Sequence, residues 1–270
     1  RSLQNKDSVV LLPTGAGKSI AFQLSALLLP GRCISVDPII ALIDDQVDNL
    51  WKVGIDRVIG ISADLNRVEQ KQVLANFSAG QYLFCYVAPV RLQMTDFREA
   101  LRALTVFVPV SLIVIDEAHC VSEWGHSFVT AYLNIGRISR EYCSIGDFTP
   151  PLVALTGTAS KIVLKDVQRE LGIEDFESII TPTDFNRSNL IFNVLSCSSA
   201  EKQHRLKGFL ERLPTDFGMD RAQFFRPNGD QTMGGMIFCP HVNGDYGTVS
   251  QANFIADQIG TEVVIYSGGP

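Results

Sequence analysis

Ser8-Val9-Val10-Leu11-Leu12-Pro13-Thr14-Gly15-Ala16-Gly17-Lys18-Ser19 is the stretch from which the fold follows. An apolar, β-rich run enters a turn with two glycines. A helical run, residues 20–29, leaves it and stops at Pro30-Gly31. Strand, glycine-rich turn and helix in that order build an anion site, because the turn's N–H groups and the helix N-terminus face the same space. Gly15 and Gly17 carry no Cβ to hold the backbone away from a phosphate. Thr14, Gly15, Ala16, Gly17, Lys18 and Ser19 are therefore the candidate nucleotide-binding residues. In this reading Lys18 reaches the β- and γ-phosphates as a point charge, and Ser19 gives its hydroxyl to Mg2+. The strict phosphate-loop spacing asks for glycine where Leu12 stands, so the loop is a variant of that pattern.

Ile113-Val114-Ile115-Asp116-Glu117-Ala118-His119 is the second anchor. An apolar strand ending in two acids sets them at the edge of a sheet. Asp116 is read as holding Mg2+, directly or through water, and Glu117 as orienting and deprotonating an attacking water. Alone, an Asp-Glu pair reads equally well as a structural cap. The phosphate loop upstream turns the reading toward chemistry, and His119 joins Lys18, Asp116 and Glu117 as a catalytic candidate.

The 270 residues suffice for a large core and more than one domain. Hydrophobic residues make up 46% and charged residues 19%, a globular balance. No apolar run is long enough to span a bilayer and no signal peptide opens the chain, so no membrane partner is expected. Six scattered cysteines form no C-x-x-C pair, which points to a reducing, intracellular compartment: cytoplasm or nucleoid, or nucleus in a eukaryote. Four scattered histidines offer no metal-ligand spacing. The net charge of −6 argues against coating duplex DNA by bulk positive charge. It leaves room for a narrow groove that grips one strand by amides, a few basic residues and stacking.

Strand-then-helix units repeat along the chain. Residues 32–36 read as a strand broken by Asp37-Pro38, and residues 39–51 as a helix closed by Trp51 as a core residue. Residues 58–61 and 81–87 read as strands, with a helix over 66–77 between them. Residues 91–104 read as one helix with Arg91, Arg98 and Arg102 along a solvated face. Residues 111–115 and 151–155 are apolar but for Ser111, as in the buried middle of a parallel sheet, and residues 160–171 read as a helix ended by Gly172. The alternation predicts a parallel α/β sheet with ligands at the C-terminal ends of its strands. A polar, turn-rich stretch, residues 182–189, reads as a linker. Beyond it, strands at 190–195, 236–239 and 262–266 and helices at 200–213 and 249–259 predict a second α/β unit.

These motifs resemble superfamily 2 helicases, and among them the RecQ-type DNA helicases. Residues 115–128 read I-D-E-A-H-C-V-S-E-W-G-H-S-F, similar to that family's acidic box and the aromatic-rich loop after it. Residues 36–47, V-D-P-I-I-A-L-I-D-D-Q-V, resemble the family motif that contacts the DNA strand. Residues 87–92, V-A-P-V-R-L, resemble its T-P-E-R-L element, and residues 154–159, A-L-T-G-T-A, the motif linking ATP state to DNA state. Residues 185–190, 236–239 and 264–269 resemble the opening motifs of the family's second domain.

The resemblance implies a RecA-like phosphate-loop NTPase domain over residues 1–181, the linker at 182–189 and a truncated second RecA-like domain over 190–270. It implies ATP and Mg2+ as cofactors, single-stranded and forked DNA as partners, and 3′ to 5′ movement coupled to unwinding. It implies nucleic-acid or coupling roles for Pro38, Gln46, Arg91, Trp124, His126, Phe128, Thr156 and Thr158. The chain departs from the family pattern at Val90, where an acid is usual, and at Val129-Thr130, where Arg-Pro is usual. No adenine-reading Gln is identifiable upstream of the loop. The later motifs, including the arginine finger and the zinc and winged-helix regions, are not within residues 1–270, so a fragment of low activity by itself is expected. The rival readings are an RNA helicase of the same superfamily and a non-catalytic nucleic-acid- or protein-binding module on the same fold.

Overall fold

The computed structural model describes residues 1–13, 15–61, 67–123, 132, 134–182, 190–229 and 232–266. The chain divides into two compact units, Arg1–Arg187 and Ser188–Pro270.

The first unit is built on seven strands: β1 (Ser8–Leu11), β2 (Arg32–Val36), β3 (Val58–Ile61), β4 (Phe84–Val87), β5 (Val110–Ile115), β6 (Leu152–Thr156) and β7 (Ile179–Ile180). They lie in the order β3-β4-β2-β5-β6-β1-β7, and every pairing is parallel. β5 sits centrally and is buried along its whole length, as a strand that is apolar but for Ser111 requires when both faces are covered. Helices α1 (Lys18–Leu28), α2 (Ile40–Lys52), α3 (Arg67–Ser78), α4 (Thr95–Phe107), α5 (Cys120–Glu123), α6 (Ile135–Cys143) and α7 (Lys161–Glu170) fill the crossovers. α4 shows how the pattern works: Phe97, Ala100, Leu101 and Leu104 recur at helical spacing and are all buried. α7 starts where Ser160 accepts the Val163 N–H, and ends before Gly172, whose φ is +62°. One apolar cluster lies on each face of the sheet, with Ile34, Cys85 and Ile113 in one and Cys33, Phe84 and Leu112 in the other.

The topology places the site. β2, β5, β6 and β1 are consecutive neighbours; the phosphate loop, Asp37-Pro38 and Asp116-Glu117 follow the C-terminal ends of β1, β2 and β5, and Thr156 is the last residue of β6. The opposite edge carries short turns, among them Ile145–Phe148, whose backbones pair as an isolated bridge before β6.

Several expectations need correction. The helix expected over 91–104 is a 3-10 turn, Pro89–Gln93, followed by α4 from Thr95. Pro89 opens the first piece, and the extended backbone at Met94 separates the two. Arg91 therefore leaves the solvated face and is buried. Arg98 and Arg102 instead lie over the Tyr142 ring, 5.7 and 4.4 Å from its centroid. Trp51 is exposed rather than core, because the buried stripe of α2 runs through Ile43 and Leu50 and the next residue points away. The loop expected from Cys120 opens as the helical turn α5, with Cys120 and Val121 buried.

In the second unit, α8 (Lys202–Asp216) packs against α9 (Arg221–Phe224) and α10 (Thr248–Ile259). Leu210, Phe224, Ala252 and Ile255 are buried, and the Phe224 ring meets Phe217 and Phe225 at 5.6 and 5.0 Å. The strands expected at 190–195, 236–239 and 262–266 do not form among the described residues. A strand exists only when a neighbour takes its N–H and C=O groups, and these runs have no such neighbour there. Ile191, Phe192, Val194, Phe238 and Val264 are exposed accordingly.

Candidate functional site

At the C-terminal edge of the first sheet, the loop after β1 is held by two backbone bonds: Leu12 N–H to Thr156 C=O at 3.0 Å and Ala16 N–H to Pro13 C=O at 3.0 Å. Gly15 and Gly17 have φ of +80° and +85°, the left-handed region that favours glycine. Apart from its chain neighbours, no atom among the described residues lies within 4 Å of where a Gly15 Cβ would stand, so the backbone there is open to an approaching group. α1 begins at Lys18 and presents its first N–H groups to that space. Thr14 lies outside the described residues.

Lys18 and the acids after β5 meet directly. Lys18 Nζ donates to Glu117 Oε1 at 2.7 Å and lies 4.0 Å from Asp116 Oδ1. The other Glu117 oxygen, Oε2, is 3.2 Å from His119 Nδ1, which is also 3.1 Å from Thr156 Oγ1. Thr156 Oγ1 in turn accepts the Thr158 N–H at 3.4 Å. Lys18, Glu117, His119 and Thr156 thus form one continuous chain from the phosphate loop to the end of β6. Glu117 sits at φ +43°, a left-handed conformation that costs a non-glycine residue free energy, on the order of 1–3 kcal/mol. It is fixed there by three bonds: the Glu117 N–H to Asp116 Oδ1, the Ala118 N–H to the Leu155 C=O, and the Cys120 N–H to the Glu117 C=O. The cost is local, and its effect is to aim the Glu117 carboxylate back at Lys18.

Burial sets the charge balance. Asp116 is 8% exposed, and desolvation raises its pKa against the pull of the Glu117 N–H and Lys18. Asp37, after β2 on the neighbouring strand, is more deeply buried. Desolvation pushes its carboxyl up to about 7, with Asp116 and Glu117 adding to the rise and the Ile39 N–H and Lys18 opposing it. Asp37 Oδ1 accepts the Ile39 N–H at 3.1 Å and so fixes the start of α2. In the sequence Asp37 reads as a strand breaker inside the 36–47 motif, with no role of its own at the nucleotide site. The signal that it belongs to the site was its place at the end of a strand adjoining β5.

Gln46 on α2 also faces the loop: its Nε2 donates to Ser19 Oγ at 2.9 Å. Pro38 is half-buried at the entry to α2, and Thr158 is exposed beside Thr156. Arg91 does not join them. It is buried, its Nη1 lies 2.9 Å from Met94 Sδ and 3.8 Å from Asp96 Oδ2, and its Nε and Nη2 have no hydrogen-bond partner among the described residues. Trp124, His126 and Phe128 lie outside the described residues.

A divalent cation fits the donor set. Among the described residues no group of three or more His, Cys, Asp and Glu could hold a metal ion. Ser19 and the buried Asp116 offer instead the one or two hard oxygens that Mg2+ takes from a protein when phosphates and water supply the rest.

The DEAD/DEAH box helicase family matches residues 1–167. A protein described as "Probable ATP-dependent DNA helicase RecS" from Bacillus subtilis is 37% identical over 212 residues, covering 78% of this chain and 40% of that protein. The ATP-dependent DNA helicase RecQ of the same organism is 35% identical over 197 residues, covering 73% of this chain and 32% of that protein. The chain thus spans less than half the length of either relative. Among solved structures, helicase MrfA bound to DNA and AMPPNP aligns with 77% of this chain and 30% of its own, at TM-score 0.56 and 21% identity. That likeness shows a shared fold.

Proposed function

The chain belongs to the DEAD/DEAH box helicases, and from that premise we propose that it is the motor part of a RecQ-type, ATP-dependent DNA helicase. It hydrolyses ATP to move 3′ to 5′ along one strand and open single-strand/duplex forks. The observation that carries the reading is the chain of contacts Lys18–Glu117–His119–Thr156, with Lys18 to Glu117 at 2.7 Å.

The residues divide the work. Lys18 has three N–H donors and gives one to Glu117, leaving two for phosphate oxygens. The glycine loop and the start of α1 hold the remaining phosphate charge. Mg2+, when held by Ser19 and Asp116, neutralises charge on the transferred phosphoryl group. Glu117 takes the proton of the attacking water, and its two oxygens are oriented from opposite sides by Lys18 and His119. His119 ties that base to Thr156, so a shift in the loop after β6 moves the carboxylate. Pro38, Gln46 and Thr158 lie on loops at the same edge and serve the strand-contact and coupling roles. Trp124, His126 and Phe128 serve as DNA contacts that couple strand binding to the acids. Residues 190–270 form part of a second RecA-like domain joined through 182–189, and the protein works inside the cell. No helix among the described residues is long and apolar enough to cross a membrane.

The test is ATP turnover by the full-length protein with single-stranded DNA, with single-stranded RNA and with neither. Stimulation by DNA alone is expected, and stimulation by RNA in its place would favour the RNA-helicase reading. Glu117→Gln is expected to bind Mg-ATP and to slow hydrolysis by roughly 10²-fold or more, while Lys18→Ala loses turnover with the fold intact. Normal turnover in these variants would overturn the roles given to Lys18 and Glu117, and no turnover by the unaltered protein under any of the three conditions would leave only a binding module on an ATPase fold.

A further inference from the structure

Beyond the chain of contacts that ends at Thr156, a second polar relay ends at the phosphate loop. Tyr86 in β4 is 1% exposed, and its hydroxyl accepts from Gln23 Nε2 at 3.0 Å. The same Gln23 nitrogen donates to Gln46 Oε1 at 3.2 Å. With its oxygen so engaged, the Gln46 carboxamide turns its Nε2 to Ser19 Oγ at 2.9 Å. The relay joins a core strand, α1 and α2, and its last member is the hydroxyl read above as an Mg2+ donor.

We propose that Gln46 is a positioning residue for the Ser19 hydroxyl, and that through it the placement of α2 sets cation affinity at the nucleotide site. The proposal rests on the nucleotide-site reading and deepens it. A serine oxygen has two lone pairs and one proton. The Gln46 N–H takes one lone pair, which leaves the second as the only one free for a cation and fixes the side-chain rotamer that presents it. Without that bond the hydroxyl can turn to neighbouring backbone acceptors, and a cation must first reorient it. Partners behind a metal-holding group typically change metal affinity by about 10- to 100-fold when removed. α2 is itself tied at its start to β2 by Asp37 and the Ile39 N–H, so it acts as a lever with a fixed end near Pro38 and its contact at Gln46. A ligand that shifts α2 thereby changes the grip on the cation with no displacement of Lys18 or the acids.

The experiment measures binding of a fluorescent ATP analogue to the full-length protein, by anisotropy, across an Mg2+ titration and in EDTA. Thermal melting of each variant is recorded alongside. Gln46→Met keeps side-chain length and apolar packing but removes the donor. It is expected to raise the Mg2+ concentration for half-maximal tightening roughly tenfold, with affinity in EDTA unchanged. Gln23→Met, which frees Gln46 without touching Ser19, is expected to shift it in the same direction by less. If Gln46→Met fails to fold, Gln23→Met decides alone. An unchanged Mg2+ midpoint in the folded variant, whatever its melting temperature, overturns the relay while leaving the nucleotide site standing. Binding with no Mg2+ dependence in the unaltered protein overturns Ser19 as a cation donor and the relay with it, and no binding at all overturns the nucleotide-site reading.

Discussion

Asp37 is the residue whose chemistry was least visible in advance. Its carboxyl is 1% exposed, and burial pushes its pKa up to about 7. A carboxyl with a raised folded-state pKa stabilises the fold fully below its unfolded value, near 4, and that contribution is lost as pH rises through about 7. Asp37→Asn keeps an oxygen for the Ile39 N–H and removes the titration. The urea midpoint of the variant, relative to the unaltered protein, is therefore expected to climb between pH 5 and pH 8. A gap that stays flat over that range would show that Asp37 does not titrate there. The contrast with Lys18, Asp116 and Glu117 is instructive. Those residues announce themselves because a glycine-rich turn and a strand-terminal acid pair each need a special backbone, which leaves a mark in the sequence. Asp37 sits in an ordinary strand end, and only the lateral order β2-β5 brings it beside Asp116. Sequence reading has no access to which strands become neighbours. The place of Glu117 at the end of an apolar strand was legible, but its left-handed backbone was not, because nothing in the residue type demands it.

The elements were legible wherever apolar spacing was strong, as in α2, α4 and β5, and were misjudged where punctuation was weak. The 3-10 turn at Pro89–Gln93 merged with α4 in the reading because the basic residues run across the break. α6 carried no clear signal in sequence, yet it packs tightly. A Cβ on its Gly136 would stand 2.5 Å from the Leu171 carbonyl oxygen, at the end of α7. Backbone cannot yield there as a side chain can. Gly136→Ala is expected to lower the denaturation free energy by about 1–3 kcal/mol through overpacking, read from urea unfolding, and an unchanged midpoint would mean the helices part at no cost. The segment after α5 belongs to the same scale. Trp124 follows five residues after His119, so stacking of a base on it can act on Glu117 through few intervening parts. Such stacking contributes roughly 1–3 kcal/mol per base. Trp124→Ala in the full-length protein is expected to keep DNA-free ATP turnover and lose most of the stimulation by single-stranded DNA. A variant that melts earlier and loses both activities together would mark Trp124 as a packing residue.

Across the whole molecule, the parallel sheet of the first unit was readable from the alternation of strands and helices, and so was the edge on which the motifs fall. The second unit was not readable in the same way. Its apolar runs have strand composition, but composition does not supply the neighbour that turns an extended run into a strand, and Ile191, Phe192 and Phe238 stay in solvent among the described residues. The single-edged layout of the first unit has a practical side. The phosphate loop, Asp37-Pro38 and Asp116-Glu117 leave the C-terminal ends of the strands, while the Ile145–Phe148 turn enters β6 from the far end. That turn is exposed, and Gly146 has φ +56° with no atom within 4 Å of where a Cβ would stand. It is thus a site for grafting: a short epitope or a dye-accepting tag spliced between Gly146 and Asp147 should leave ATP turnover within about twofold of the untagged protein, since surface loops tolerate added length at little thermodynamic cost. The same tag spliced after Pro38 should abolish turnover. The pair would give a labelled protein for single-molecule tracking, with the reporter attached at the end of the sheet away from the phosphate loop.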